Sequence, residues 1–138
     1  MENRTRLFLV VRWIPYVLVV LLATAHLIFE LPRAMTPFEG IIPFLYEKKF
    51  NALLCLLVVG SAFAKGAVRS VLALTGCASL FSTGLFAFFR RVHEYPIRPP
   101  DGGPIYLNVW TDIAVLGLFL IVVVIEAAVL IRFRADRR

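Results

Sequence analysis

The chain has 138 residues, of which 60% are hydrophobic, and its mean hydropathy is +0.83. A soluble domain of this length could not bury so much apolar surface. Its formal charge is +6, but no aromatic–basic module of the kind that binds RNA or DNA accompanies that charge. The composition predicts one membrane domain over residues 1–138, whose basic residues face lipid headgroups and not nucleic acid.

Four apolar runs follow one another, and a helix needs about 20 apolar residues to cross the hydrocarbon core. We expect membrane-spanning helices over residues 7–31, 46–66, 70–90 and 108–132. The second run is the weakest, because its continuous apolar stretch covers only Phe50–Ala64. The predicted fold is an all-α, four-helix integral membrane bundle. Unrelated families share such a topology, so it does not define a function.

An even number of spans puts both termini on one side of the membrane. The basic residues on that side are Arg4, Arg6, Lys65, Arg69, Arg132, Arg134, Arg137 and Arg138, against Arg33, Lys48, Lys49, Arg90, Arg91 and Arg98 on the other. The positive-inside rule therefore predicts cytoplasmic termini. The cytoplasmic membrane of a bacterium is the expected location.

The first span also resembles a secretory signal peptide. Arg4 and Arg6 precede an apolar stretch, and Ala23-Thr24-Ala25 matches the pattern of a cleavage site. Against cleavage, the apolar pattern continues through Phe29 and Arg12 interrupts the run. We therefore prefer an uncleaved first span.

Two outer segments, residues 32–49 and 91–107, are rich in proline. The first cannot be one regular helix, and we expect its large apolar residues to lie in the membrane interface or to cap the bundle. The second contains Arg98-Pro-Pro-Asp-Gly-Gly-Pro104 and is predicted to be a stiff loop. An aromatic belt is expected at both boundaries, with Trp13 and Tyr16 at the inner one and Tyr46, Tyr95, Tyr106 and Trp110 at the outer one.

Two charges interrupt the first and last spans. Arg12 and Glu126 each lie about one and a half turns from the inner end of their span, so their depths match. Because a charge in the hydrocarbon region is costly unless it is paired or hydrated, we expect an Arg12–Glu126 ion pair that joins the two spans. Separate snorkelling of the two side chains to the interface is an equal alternative. Proton transport by Glu126 is a further one.

A second polar group of residues is predicted at the outer side. His26 and Asp112 match in depth, Glu30 shares a helical face with His26, and His93 directly follows the third span. A structural His26–Asp112 hydrogen bond is one interpretation. A haem or a metal held by His26, His93 and Glu30 is an alternative, although no ligand spacing supports it, and absence of a cofactor is the main expectation.

Small residues mark the faces of the middle spans. Gly60 and Ala64 are four apart in the second, and Gly76, Ser79 and Thr83 lie in the third. Such faces let helices approach closely. Packing between the second and third spans is the preferred interpretation, and docking of another subunit is the alternative. Cys55 and Cys77, which have no metal spacing, are expected to act as small hydrophobic residues.

No catalytic motif is present, so the sequence does not predict an enzyme. The preferred hypothesis is a small non-catalytic subunit or accessory protein that packs against a larger membrane complex, or against copies of itself. The alternatives are a haem- or metal-binding redox protein that uses His26 and His93, and a small oligomeric transporter or channel that uses Glu126.

Overall fold

The computed structural model describes residues 2–34, 48–94 and 105–137, with side chains for 6–29, 50–90 and 110–137. These residues form four α-helices and no strand: α1 (Glu2–Ala34), α2 (Lys48–Phe63), α3 (Gly66–Glu94) and α4 (Ile105–Ala135). The predicted all-helical fold is confirmed for this part of the chain. The outer segments 32–49 and 91–107 lie mostly outside the described residues, although α1 passes Pro32 and α3 continues to Glu94.

Three of the four helices are long and apolar enough to cross a membrane. The qualifying stretches are Arg6–Phe29, Gly66–Arg90 and Trp110–Ala135, with mean hydropathies of 2.2, 1.8 and 3.0. The helix α2 has 16 residues, which gives it a length of about 24 Å, against a hydrocarbon core of about 30 Å. Its apolar stretch, Phe50–Phe63, is therefore the shortest of the four.

The turn between α2 and α3 consists of Ala64 and Lys65. The amide of Ala64 donates to the carbonyl of Ser61 over 3.2 Å, and Gly66 adopts a φ of +61°. Glycine takes this left-handed conformation without the steric cost that other residues incur. The chain therefore reverses at residues 64–65, a few residues earlier than the expected bounds 46–66 and 70–90 indicate.

The helix α1 continues through Pro15 without a break in its assignment. Proline removes one backbone hydrogen bond, and such a position is tolerated where neighbouring helices surround it. Tyr16, the next residue, is buried against α2. The interruption that Pro15 makes in the sequence pattern is thus absorbed within a packed helix.

The helices form a ring in which α1 and α3 each pack on both α2 and α4. Neighbours are antiparallel, since Phe8 of α1 lies beside Arg132 of α4 and Tyr16 of α1 lies beside Ser61 of α2. We call the end with Arg12, Ser61, the 64–65 turn and Glu126 the turn end. The opposite end, with His26, Asn51, Thr83 and Asp112, is the cavity end.

The core consists mainly of small and medium side chains. Its buried members from all four helices are Val19, Ala23, Leu27, Ala52, Leu54, Cys55, Val58, Cys77, Leu80 and Val122. Residues 19, 23 and 27 recur at intervals of four, the spacing of one helical face. Small side chains allow close approach of the backbones where no hydrophobic effect favours one apolar surface over another.

Candidate functional site: a buried polar cluster and a cavity

Arg12 and Glu126 lie together at the turn end. The Nη2 atom of Arg12 is 3.5 Å from Oε2 of Glu126, and the two side chains are 15% and 3% exposed. Opposite charges at this distance attract strongly where water is excluded. The two charges, which the sequence places at the same depth in the membrane, thus lie together between α1 and α4.

Tyr16 and Ser61 make a second contact at this end. Their hydroxyl oxygens are 2.8 Å apart, and both residues are buried. The Ser61 hydroxyl can donate to the carbonyl of Val58 in its own helix, which leaves it free to accept from Tyr16. Tyr16 is therefore an interhelical hydrogen-bonding group and not the boundary residue that the predicted aromatic belt required.

Two guanidinium groups lie over the Trp13 ring. The Cζ atom of Arg69, in the first turns of α3, is 4.6 Å from the Trp13 ring centroid, and that of Arg12 is 5.6 Å away. The Trp13 ring also meets Tyr16 edge to face, with centroids 5.6 Å apart. A cation over an indole face is attracted by the ring quadrupole, so these contacts link α3 to α1 at the turn end.

The turn end also buries polar atoms that have no hydrogen-bond partner among the described residues. These are the Ser70 hydroxyl oxygen and Oε2 of Glu126. The attraction of Arg12 on Glu126 is therefore a charge contact without a well-aligned hydrogen bond. Together with the contacts above they define the turn-end cluster, which comprises Arg12, Trp13, Tyr16, Ser61, Arg69, Ser70 and Glu126.

The cavity end holds a cavity of about 380 Å³ to which all four helices contribute. Leu80 and Leu116 are among the apolar residues of its wall, and its polar residues are His26, Asn51, Thr83 and Asp112. Depth matching in the sequence placed His26 and Asp112 at one level. The structure places both on the lining of this cavity.

A second cavity of about 400 Å³ adjoins the first along α2 and α3. The two share Asn51, Thr83 and Ala87, and the second adds Arg90. Thr83 donates its hydroxyl to the carbonyls of Ser79 and Leu80 in its own helix. Asp112 lines the first cavity and Arg90 the second, so adjoining walls carry charged groups of opposite sign. Both residues also have interactions within the protein.

The small residues of the middle helices divide into two groups. A Cβ on Gly76 would lie 2.7 Å from Cγ2 of Val58, and a Cβ on Gly84 would lie 2.9 Å from Cδ2 of Leu116. Gly76 thus packs on α2 and Gly84 on α4. By contrast, a Cβ on Gly60 would meet no atom within 4 Å, so this glycine faces outward.

The histidine and acid positions proposed as ligands are only partly described. His26 is exposed on α1, while Glu30 and His93 are helical residues whose side chains lie outside the described residues. Where side chains are described, no three His, Cys, Asp or Glu residues come together as a metal site needs. Cys55 and Cys77 are free and buried.

No family model, curated protein or solved structure matches this chain. The arrangement of its residues is therefore the basis for any functional conclusion.

The sequence analysis paired Arg12 with Glu126 but did not single out Ser61 or Ser70, two members of the turn-end cluster. Ser61 and Ser70 lie in small-residue runs, where a serine is ordinarily read as a packing residue. One signal was available: Tyr16 follows Arg12 by four residues, so the two share a helical face. An aromatic hydroxyl on the face of a predicted interhelical charge pair indicates a buried polar layer.

Proposed function

We propose that this chain is a small, non-catalytic integral-membrane protein that crosses the bilayer four times and packs against another membrane subunit. The polarity of the bundle carries the membrane part of this proposal. Ser61, Ser70 and Glu126 are buried, whereas Phe63 is 85% exposed and Phe29 is 75% exposed. In water such a surface would aggregate, but a bilayer both solvates it and favours polar groups that face inward.

The turn end belongs on the cytoplasmic side in this proposal. The described basic residues at that end include Arg6, Lys65, Arg69, Arg132 and Arg134. Lys and Arg are enriched in cytoplasmic connections and tails. The location in a bacterial cytoplasmic membrane stays a prediction, since no contact in the bundle bears on the organism.

The outward face of α2 supports a role as a subunit. Gly60 lies on this face, where a side chain would meet open space, and Ala64, the first residue of the 64–65 turn, follows four positions later. The exposed residues Leu53, Leu56 and Phe63 surround this glycine. A small-xxx-small face lets a second helix approach closely, and van der Waals contact is a main source of helix association in lipid.

A second open glycine, Gly117 on α4, provides a comparison. A Cβ there would also meet nothing within 4 Å, but its neighbours one turn away are Ile113 and Ile121, both exposed. Gly60 has one bulky neighbour at this spacing, Leu56, and one small one, Ala64. Both neighbours of Gly117, by contrast, are bulky and keep a partner helix at a distance. We therefore assign the docking surface to α2 and use Gly117 as its control.

The test is recovery of a partner in mild detergent from the native host. A tagged chain with Gly60→Leu should lose a partner that the unchanged chain and Gly117→Leu both retain. The leucine side chain would occupy the space beside residue 60 that the partner helix needs. Two differently tagged copies distinguish self-association from a different subunit. A monodisperse monomer from the unchanged chain, or full recovery with Gly60→Leu at an unaltered unfolding midpoint, would refute the subunit role.

The two alternative functions gain less from the geometry. Glu126 is buried beside Arg12 and lines neither cavity described above, which favours a structural pair over a transport acid. His26 lines the first cavity. Absence of a Soret band and of stoichiometric metal in the purified protein would remove the haem or metal alternative.

A further inference from the structure

The cavity of about 380 Å³ at the cavity end has the features of a binding site for an amphiphile. Its volume of about 380 Å³ falls in the range of about 300–1,000 Å³ typical of small-molecule sites. Such sites are mainly apolar with a few polar groups that fix orientation. Here Leu22, Val115 and Phe119 are apolar lining residues, and His26, Asn51 and Asp112 supply hydrogen-bonding groups.

The polar groups lie at the level expected for lipid headgroups. Trp110, two residues before Asp112, is 70% exposed, and exposed tryptophan is enriched where the hydrocarbon meets the headgroups. The apolar lining residues Val115 and Phe119 come after Asp112 along α4 and so lie deeper in the bundle. A ligand that suits both levels has an apolar chain and a polar head.

The charged residues of the two adjoining cavities indicate which polar headgroup the ligand carries. Asp112 lines the first and Arg90 lines the second, and both cavities share Asn51 and Ala87. A head that carries an ammonium group and a phosphate group complements this pair, because the ammonium can donate to a carboxylate and the guanidinium binds phosphate.

We propose that the cavity binds one amine-bearing membrane phospholipid, with an acyl chain between the helices, the ammonium at Asp112 and the phosphate toward Arg90. The site rests on the proposed membrane location but not on the proposed partner. A phospholipid is also the molecule that surrounds an embedded bundle, so it reaches the opening without crossing water.

The first test is native mass spectrometry of the full chain in mild detergent, titrated with palmitoyl-oleoyl phosphatidylethanolamine. Ala87 lines both cavities and is exposed, so Ala87→Phe fills the site without disturbing the core. Ala114 is exposed on α4 and lines neither cavity, so Ala114→Phe is the matched control. We expect one retained lipid in the unchanged chain and in Ala114→Phe, and none in Ala87→Phe.

Equal retention by the two phenylalanine variants would overturn the site. The absence of a retained lipid from the unchanged chain would also overturn it. Tighter retention of decyl-ubiquinone than of palmitoyl-oleoyl phosphatidylethanolamine would do the same. A chain that stays monodisperse without detergent would instead refute the membrane location, so the two failures are distinguishable.

The second test addresses the headgroup. Asp112→Asn keeps the shape of the side chain but removes its charge. It should lower the preference for phosphatidylethanolamine over phosphatidylglycerol by roughly fivefold, the upper value for a partly exposed ion pair. An unchanged preference would overturn the assignment of the ammonium to Asp112.

Discussion

The two ends of the bundle are built from the same four helices but are closed in different ways. At the turn end, Arg12 meets Glu126 and Tyr16 meets Ser61 between helices. At the cavity end, the Thr83 hydroxyl bonds within its own helix, and the described residues line a cavity of about 380 Å³. In lipid, the hydrophobic effect does not drive helices together, so van der Waals packing and interhelical hydrogen bonds hold a bundle. The polar and aromatic contacts between helices therefore stabilise the turn end of the bundle.

Removal of one charge at the turn end should have the largest effect on stability. Arg12→Leu leaves the buried Glu126 carboxylate without its partner, and we expect the free energy of unfolding to fall by about 3–5 kcal/mol. Glu126→Leu should cost less, because Arg12 is the more exposed partner and can extend toward the interface. The measurement is unfolding in mixed micelles followed by circular dichroism.

The double variant Arg12→Leu/Glu126→Leu is the decisive control. Replacement of a buried pair by apolar residues is often neutral, so the double variant should regain most of the stability that Arg12→Leu loses. Charge reversal, Arg12→Glu with Glu126→Arg, should likewise be more stable than either single reversal. Additive losses in both experiments would show that the two charges do not interact.

The next test compares the glycines of α3. Gly76→Ala places its Cβ 2.7 Å from Val58 Cγ2 and 3.3 Å from the Val58 amide nitrogen, whereas Gly84→Ala meets only the end of the Leu116 side chain. Overpacking against the branched Val58 side chain and the backbone beside it costs about 1–3 kcal/mol, while the end of the Leu116 side chain can rotate away. Both variants gain the same helix propensity, so Gly76→Ala should be about 1–3 kcal/mol less stable than Gly84→Ala in the same unfolding measurement.

An equal stability of the two alanine variants would mean that α2 and α3 can separate at Gly76 as easily as α3 and α4 can at Gly84. A Gly60→Ala control separates the effect of packing from the gain in helix propensity. Its added Cβ meets no atom, so it reports the gain in helix propensity alone.

The helices could be predicted from the sequence because their signal is local. Long apolar runs predict α3 and α4 without knowledge of their neighbours, although α3 begins at Gly66 and not at residue 70. The proximity of Arg12 and Glu126 was also accessible, since antiparallel spans of known direction convert sequence position into depth. Depth alone, however, does not tell which way a residue faces.

The direction in which each side chain points around its helix could not be predicted from the sequence, and the contacts between helices depend on that direction. Tyr16 sits where an aromatic belt is expected, yet it is buried. Gly60 and Gly76 look alike in sequence, but one faces outward and the other faces α2. The weak amphipathic pattern of apolar helices explains this result, because lipid-facing and core-facing residues are both hydrophobic.

The smallest expected effect compares one hydroxyl from each end. Tyr16→Phe removes a hydrogen bond between helices, and interhelical hydrogen bonds in membranes average about 0.6 kcal/mol. Thr83→Val removes a hydroxyl that bonds only to carbonyls of its own helix, which also accept backbone amides, so the unfolding free energy should stay within about 0.5 kcal/mol. A double-mutant cycle of Tyr16→Phe with Ser61→Ala isolates the pair. If that coupling is zero while Thr83→Val is costly, the hydroxyl of the cavity end stabilises the bundle more than the hydroxyls of the turn end do.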